Sequence, residues 1–116
     1  MSKIQIWHNP RCSKSRNALA LLEEKKIDAE VIKYLDTLHT HDEIAGLLTM
    51  LGLSARELMR TKEDIYKELN LKDENDESKL IDAMVENPKL IERPIVVKDG
   101  KAVIGRPIEN IIKLVG

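Results

Sequence analysis

Phenylalanine is absent from the sequence, and its 116 residues include one tryptophan, two tyrosines and a single cysteine, Cys12. So few aromatic rings predict an aliphatic core and offer no stacking platform for single-stranded nucleic acid. One cysteine cannot form an internal disulfide, and a structural zinc site uses several Cys or His ligands. We therefore expect neither nucleic acid nor a bound metal, and we expect a reducing compartment, the cytoplasm, as the location.

Long apolar runs and an excess of one charge are also missing. No run approaches the roughly 20 apolar residues of a membrane span, and no apolar secretion segment precedes the first predicted strand. The 19 Lys and Arg nearly balance the 20 Asp and Glu, so the net charge is −1. This balance gives no general attraction to nucleic acid or to a membrane. Hydrophobic residues make up 42% of the chain, enough for the core of one domain over residues 1–116.

The first third of the chain predicts a βαβ unit. Alternating apolar residues over Lys3–Trp7 indicate a strand, and the apolar side of Ser13–Lys26 indicates a helix. Residues Ala29–Tyr34 are rich in β-formers and predict a second strand. Two strands joined through a helix within about 35 residues are typical of a parallel pair.

The last quarter predicts a ββα unit. Asp99-Gly100 lies between the β-rich segments Pro94–Lys98 and Lys101–Ile104, which is a strong hairpin signal. A final helix is expected to open at Arg106-Pro107, because proline suits the first helical turn.

The middle of the chain is predicted to be helical. Thr40 with Glu43 and Ser54 with Glu57 both have the spacing of a capping box. The whole order is therefore βαβ, then about 50 residues of helix, then ββα. We predict an α/β protein with a thioredoxin-like fold, in which a helical insertion over about residues 40–91 separates the two halves of a small mixed four-stranded sheet.

Cys12 lies where the first predicted strand gives way to the first predicted helix. The N–H groups at a helix N-terminus favour negative charge, so they stabilise a thiolate at this position. Four basic side chains lie within four residues and add to this effect: His8, Arg11, Lys14 and Arg16. A lone cysteine is more often a small buried hydrophobic residue, but this position among cations favours a reactive thiol.

Two related cysteine chemistries are excluded by the residues that follow Cys12. Phosphatase-like loops place an arginine six residues after the cysteine, where this chain has Ala18. Dithiol oxidoreductases use C-x-x-C, and Ser15 replaces the second cysteine here, with a hydroxyl that could donate to the sulfur. A redox enzyme with one thiol needs a second thiol from outside, for which glutathione is the natural candidate.

Four segments of the chain, in the same order, resemble the glutaredoxin-coupled arsenate reductases. They are His8–Cys12 with Ser15-Arg16-Asn17, then Ala55–Arg60, then Glu92–Val97, then Gly105-Arg106-Pro107. Each segment alone is a weak signal, but together they extend over nearly the whole chain.

The resemblance implies a role for each matching residue. Cys12 is expected to be the nucleophile, His8 and Ser15 to support its thiolate, and Arg60, Arg93 and Arg106 to bind the oxyanion. Arginine suits this task because its fixed fork of donors matches the oxygens of a tetrahedral anion. The implied activity is reduction of arsenate to arsenite, with glutathione as co-substrate, glutaredoxin as partner and no bound cofactor. The thioredoxin-like order of elements separately predicts that Pro94 is a cis-proline.

Two other functions are compatible with parts of the pattern. The regulator Spx resembles the same fold and binds RNA polymerase, although its usual redox switch is a C-x-x-C pair. A glutathione-dependent thiol oxidoreductase acting on another substrate would use the same thiol. Ser13-Lys14 stands where the best-studied arsenate reductases have Gly-Thr, and their longer C-terminal tail extends beyond the equivalent of Gly116. These departures leave the physiological substrate open.

Overall fold

The computed structural model of the protein describes residues 4–36 and 39–115. In chain order its elements are β1 (Ile4–Trp7), α1 (Ser13–Glu24), β2 (Ala29–Ile32), α2 (His41–Leu51), α3 (Ala55–Leu58), α4 (Asp64–Glu68), α5 (Glu77–Glu86), β3 (Ile95–Lys98), β4 (Lys101–Ile104) and α6 (Glu109–Val115). The chain divides into two compact units, the sheet unit (residues 1–37 and 93–116) and the helical unit (residues 38–92). The grouping of both units into a single domain stays a prediction.

The sheet unit contains a four-stranded mixed sheet with the strand order β2-β1-β3-β4. β1 runs parallel to β2 and antiparallel to β3, and β3 runs antiparallel to β4. Because α1 joins the parallel pair and α6 follows the antiparallel pair, the unit has the βαβ and ββα halves of a thioredoxin-like fold. The predicted fold class is confirmed.

The core of the sheet unit is mainly aliphatic, although Trp7 and Tyr34 are also buried and stack on each other. Its central cluster combines side chains from β1, β3, α1 and α6: Ile4, Ile6, Ala18, Leu22, Val96 and Ile111. Burying one large aliphatic side chain stabilises a protein by about 1.5–3 kcal/mol, so this cluster holds both helices against the sheet.

The β3–β4 hairpin turns at Asp99-Gly100, as predicted. Asp99 has a φ of 51° and Gly100 a φ of 77°. Positive φ at both central positions defines a type I′ turn, whose twist matches that of the flanking strands. The short-range sequence signal was therefore sufficient to place this turn.

The last helix begins later than predicted, at Glu109 instead of Arg106-Pro107. The first hydrogen bonds after the proline span only three residues: Asn110 N–H donates to the Pro107 carbonyl at 3.1 Å, and Ile111 N–H donates to the Ile108 carbonyl at 3.0 Å. A tighter turn therefore precedes the α-helix. Pro107 belongs to the segment before α6, and the Arg106–Pro107 peptide bond is cis.

Two elements of the first half end earlier than the sequence pattern indicates. α1 stops at Glu24 and not at Lys26, which has the left-handed φ of 58°. β2 stops at Ile32 and not at Tyr34, and Asp36 N–H then closes a turn onto the Lys33 carbonyl at 2.9 Å. Lys3, the first residue of the predicted β1, lies outside the described residues.

Capping side chains set the starts of two helices in the helical unit. Ser54 and Glu57 form the full predicted capping box at α3, since each side chain accepts from the other residue's backbone N–H. At α2, Thr40 accepts from Glu43 N–H at 3.1 Å, but the Glu43 side chain bonds the Thr40 hydroxyl instead of its N–H, so the second predicted box is half formed. Over residues 4–36 and 39–115, no helix is both long enough and apolar enough to cross a membrane.

Candidate active site

Cys12 is the N-cap residue of α1. Its own N–H donates to the Asn9 carbonyl at 3.0 Å, and its carbonyl accepts from Arg16 N–H at 3.0 Å. The side chain is 9% exposed. The sulfur therefore belongs to the residue that opens a 12-residue helix, where the first N–H groups and the helix dipole make the surroundings positive. The sequence-based position of the thiol at the strand-to-helix junction is confirmed.

Arg106 binds the cysteine sulfur directly. Its Nη2 donates to Cys12 Sγ at 3.3 Å, although the two residues are 94 positions apart in the chain. Its Nε donates to the Arg93 carbonyl at 2.8 Å. A guanidinium at this distance gives the sulfur a cationic hydrogen-bond donor. The structure thus brings together Cys12, Arg106 and the backbone of Arg93, three of the residues that the sequence singled out.

Gly105 explains how the segment before α6 places Arg106. Its N–H donates to the Pro94 carbonyl at 2.8 Å. A Cβ atom at this position would lie 2.9 Å from Pro94 Cγ and 2.7 Å from Ile111 Cδ1. Such distances are too short for any side chain, so glycine is needed where the backbone passes Pro94. The Arg93–Pro94 peptide bond is cis, as the thioredoxin-like order of elements predicts.

His8 and Ser15 form a buried hydrogen-bonded pair beneath the loop. His8 Nδ1 lies 2.7 Å from Ser15 Oγ, and Asn9 N–H donates to the same oxygen at 3.0 Å. His8 is 6% exposed and Ser15 is fully buried. Burial lowers the pKa of His8 below its ordinary 6.5. A hydrogen bond with the Ser15 backbone opposes this shift and the charges of Lys33 and Arg16 add to it, so the neutral imidazole is favoured at neutral pH.

The lowered pKa of His8 argues against a positive charge on this ring near Cys12 at neutral pH. His8 Nδ1 and Ser15 Oγ share one hydrogen bond, and Ser15 Oγ also accepts from Asn9 N–H, so these buried groups are paired. Ser15 Oγ bonds His8 and Asn9, and its expected donation to the Cys12 sulfur stays a prediction. The catalytic roles of His8 and Ser15 stay predictions. The hydrogen bonds that the structure shows support the 8–12 loop.

Asn9 and Arg16 hold the same loop, which the sequence pattern did not reveal. Arg16 Nη1 donates to the Pro10 carbonyl at 2.9 Å, and Asn9 Oδ1 accepts from Arg11 N–H at 3.0 Å. The Arg16 bond returns from the first turn of α1 to the loop that precedes Cys12. A signal was available for Asn9, since asparagine before a proline commonly makes such a side-chain turn.

Arg60 lies in the helical unit, bound to acidic side chains. Its Nη1 is 2.5 Å from Glu63 Oε1 and its Nε is 3.8 Å from Glu92 Oε1. Its N–H donates to the Leu90 carbonyl at 2.7 Å. The predicted role of Arg60 in binding an oxyanion together with Arg93 and Arg106 stays a prediction.

Arg56, in the same resembling segment as Arg60, has a structural role. Its Nη2 donates to the Leu71 carbonyl at 3.0 Å and to the Glu74 carbonyl. These bonds tie α3 to the turn that precedes α5. The segment Ala55–Arg60 thus contains Arg56, which supports the helical unit, and Arg60, which faces two carboxylates.

The fold and the thiol define a class: thioredoxin-like proteins with one cysteine at the start of the first helix, bound by an arginine from the segment before the last helix. The sequence model of the ArsC family matches residues 7–114, and the chain belongs to the ArsC family. The family resemblance of the four sequence segments is therefore confirmed.

Similar proteins extend over nearly the full chain. An arsenate reductase of Neisseria meningitidis serogroup A is 56% identical over 113 residues, covering 96% of this chain and 97% of its own. YfgD of Escherichia coli K12, described as uncharacterized, is 57% identical over 116 residues, covering 98% of each chain. The solved structure of an arsenate reductase from Vibrio cholerae matches with a TM-score of 0.92 and 51% identity, covering 96% of each chain.

Proposed function

We propose that this protein reduces arsenate to arsenite, with Cys12 as the nucleophile and glutathione and glutaredoxin as external reductants. The observation that carries the proposal is the 3.3 Å hydrogen bond from Arg106 Nη2 to Cys12 Sγ. It joins the thiol to an anion-binding side chain at the positive end of α1. Membership in the ArsC family and the arsenate reductases among its similar proteins support the choice of substrate.

The first proposed step forms a bond between Cys12 Sγ and arsenic. The thiolate attacks the arsenic atom of arsenate, and one oxygen leaves as water after protonation. Negative charge stays on the remaining oxygens of the adduct. Arg106 suits that charge because its Nη2 already donates to the sulfur that joins the arsenic.

The second proposed step transfers two electrons to arsenic. Glutathione thiolate attacks Cys12 Sγ, the sulfur–arsenic bond breaks, and its electron pair stays on arsenic, which becomes As(III). Cys12 and glutathione are left as a mixed disulfide. Glutaredoxin thiolate then takes the glutathione and restores the Cys12 thiol, so no metal or bound organic cofactor takes part.

The arginines and the His8–Ser15 pair have separate proposed tasks. Arg106 and Arg93 bind the oxyanion in the sheet unit, and Arg60 joins them on the ground of the family resemblance. His8 and Ser15 keep the 8–12 loop in the conformation that presents Cys12. Their proposed contribution is therefore indirect, since their hydrogen bonds are with each other and with Asn9.

The test is arsenate-dependent oxidation of NADPH with glutathione, glutaredoxin and glutathione reductase supplied. We expect turnover by the unmodified protein and none by Cys12→Ser. Turnover of a glutathione mixed disulfide without turnover of arsenate would contradict the proposal and favour a thiol oxidoreductase for another substrate. Retention of RNA polymerase by the protein, without either activity, would instead favour an Spx-like regulator.

A further inference from the structure

Arg60 is held by two carboxylates of its own unit. Glu63 Oε1 lies 2.5 Å from Nη1, and Glu92 Oε1 lies 3.8 Å from Nε. The side chains of all three residues are 27% exposed. They are partly shielded from water, so these charges interact more strongly than a fully exposed ion pair does.

The backbone sets this arrangement. Arg60 N–H donates to the Leu90 carbonyl at 2.7 Å, and Glu92 N–H donates to the Leu58 carbonyl at 3.0 Å, on either side of an antiparallel bridge between Met59 and Ile91. Arg60 and Glu92 are therefore held on the two adjacent segments that this isolated bridge joins. Glu63 comes from the turn that follows, where its N–H donates to the Arg60 carbonyl at 3.2 Å.

The two carboxylates engage only part of the guanidinium. Arginine has five N–H donors, and Glu63 and Glu92 approach Nη1 and Nε. An anion that binds Arg60 is attracted less strongly, because the charge of the guanidinium is already balanced. The anion is also repelled by the two negatively charged carboxylates. This repulsion grows with the charge of the anion, so a doubly charged oxyanion is disfavoured more than a singly charged one.

We propose that Glu63 is a specificity-determining residue that weakens oxyanion binding at Arg60 and selects against higher anion charge. The inference rests on the proposed function, in which Arg60 binds the oxyanion. Glu63 is chosen over Glu92 because its oxygen is 1.3 Å nearer to the guanidinium (2.5 Å against 3.8 Å). Glu92 also takes part in other interactions, so its replacement would disturb more than this pair.

The decisive variant is Glu63→Gln, which keeps an oxygen acceptor for Arg60 and removes the charge. We expect KM for arsenate to fall about two- to five-fold with kcat unchanged, the scale of one partly exposed charge interaction. Glu63→Asp keeps the charge and is expected not to lower KM. The matched control is Glu68→Gln, an exposed glutamate of α4 with the same change in net charge.

Direct binding provides a measurement that does not depend on turnover. Isothermal titration with sulfate, a doubly charged tetrahedral anion, and with perchlorate, a singly charged one, should show that Glu63→Gln tightens sulfate binding more. In an Arg60→Ala background the same change should have no effect. A melting temperature within a few degrees of the unmodified protein would establish that each variant is folded.

The outcomes separate this inference from the proposed function. If arsenate is reduced but Glu63→Gln leaves KM and the sulfate dissociation constant unchanged, or weakens either, the role of Glu63 is overturned and the reductase activity stands. If no variant reduces arsenate but Glu63→Gln binds sulfate more tightly through Arg60, the charge selection stands and the proposed function fails.

Discussion

Arg106 in the sheet unit and Arg60 in the helical unit carry the same predicted role, but their surroundings differ. Arg106 donates to a sulfur and to a backbone carbonyl, whereas Arg60 donates to the carboxylate of Glu63. The first guanidinium adds its positive charge to a nucleophile, and the charge of the second is balanced by acidic neighbours. Arginines with one inferred function are therefore not interchangeable, because the partner of each guanidinium sets how much charge it offers an anion.

The largest effect is expected at Arg106. Arg106→Ala removes a charge-assisted hydrogen bond worth about 1.5–3 kcal/mol, so kcat/KM for arsenate should fall about 10- to 150-fold. Alkylation of Cys12 by iodoacetamide at pH 7 should slow as well, because the sulfur loses its cationic hydrogen-bond donor. Arg106→Lys should restore part of both rates, since an ammonium keeps the charge and loses the fork.

An early loss of folding in Arg106→Ala, with an unchanged rate of alkylation per folded molecule, would contradict this assignment. Arg106 would then be structural, and the contrast with Arg60 would lose its basis. The melting temperature of each variant and the alkylation rate measured well below it distinguish the two results.

Gly105 tests whether the sheet unit positions Arg106 through close packing. Gly105→Ala would place a Cβ 2.9 Å from Pro94 Cγ and 2.7 Å from Ile111 Cδ1, so we expect a loss of about 1–3 kcal/mol in the free energy of unfolding. Cys12 alkylation should slow too, because the shift displaces Arg106. Urea denaturation measures the first effect.

The matched control is Gly46→Ala in α2, where an added Cβ has no neighbour within 4 Å. A helix interior favours alanine over glycine, so this variant should gain about 0.5–1 kcal/mol and keep the alkylation rate. Equal effects of the two substitutions would argue against close packing at Gly105.

Ser54 tests the helical unit through a purely local interaction. Ser54→Ala removes the cap of α3 and half of its capping box, which should cost about 1 kcal/mol of stability in urea denaturation. Cys12 alkylation should be unchanged, because the cap acts within four residues. A slower alkylation in this variant would show that the state of the helical unit affects the thiol, and would weaken the contrast between the units.

The smallest effect is expected from the buried His8. Its pKa is lowered in the folded protein, so between 6.5 and that lower value the unfolded chain binds more protons than the folded one. Stability should therefore be complete above pH 6.5 and decrease as the pH falls through this window, by at most about 1.4 kcal/mol per pH unit. His8→Asn should flatten this slope, measured as the urea midpoint against pH.

His41→Asn is the control for the other histidines, because His41 is exposed and pairs with Asp82 on the surface. A slope that persists in His8→Asn and disappears in His41→Asn would contradict the assignment to the buried ring. The comparison also tests whether His8 acts as a neutral support of the loop, which its burial indicates.

Local chemistry was enough to predict much of the backbone. Asp99-Gly100 defines its turn because few other residue pairs adopt positive φ twice in succession. Ser54 and Glu57 define the start of α3 because the two bonds of a capping box lie within four residues. The position of Cys12 at the start of α1 followed in the same way, from a short apolar strand, a proline and an amphipathic helix. Each of these signals depends on residues that are close together in the sequence, so it can be recognised without the tertiary structure.

The contacts between side chains that are distant in the sequence could be identified only from the folded structure. Arg106 meets Cys12 across 94 residues because the ββα half of the sheet unit returns β3 beside β1, and spacing along the chain contains no measure of that distance. The need for glycine at position 105 arises where the backbone passes Pro94 and Ile111. The neutral state of His8 arises from burial, a property of its packed surroundings. The sequence was enough to locate the thiol and to name the candidate arginines. The partner of each charged group was determined by packing, because electrostatic interactions depend on distances and burial that exist only after the elements have packed.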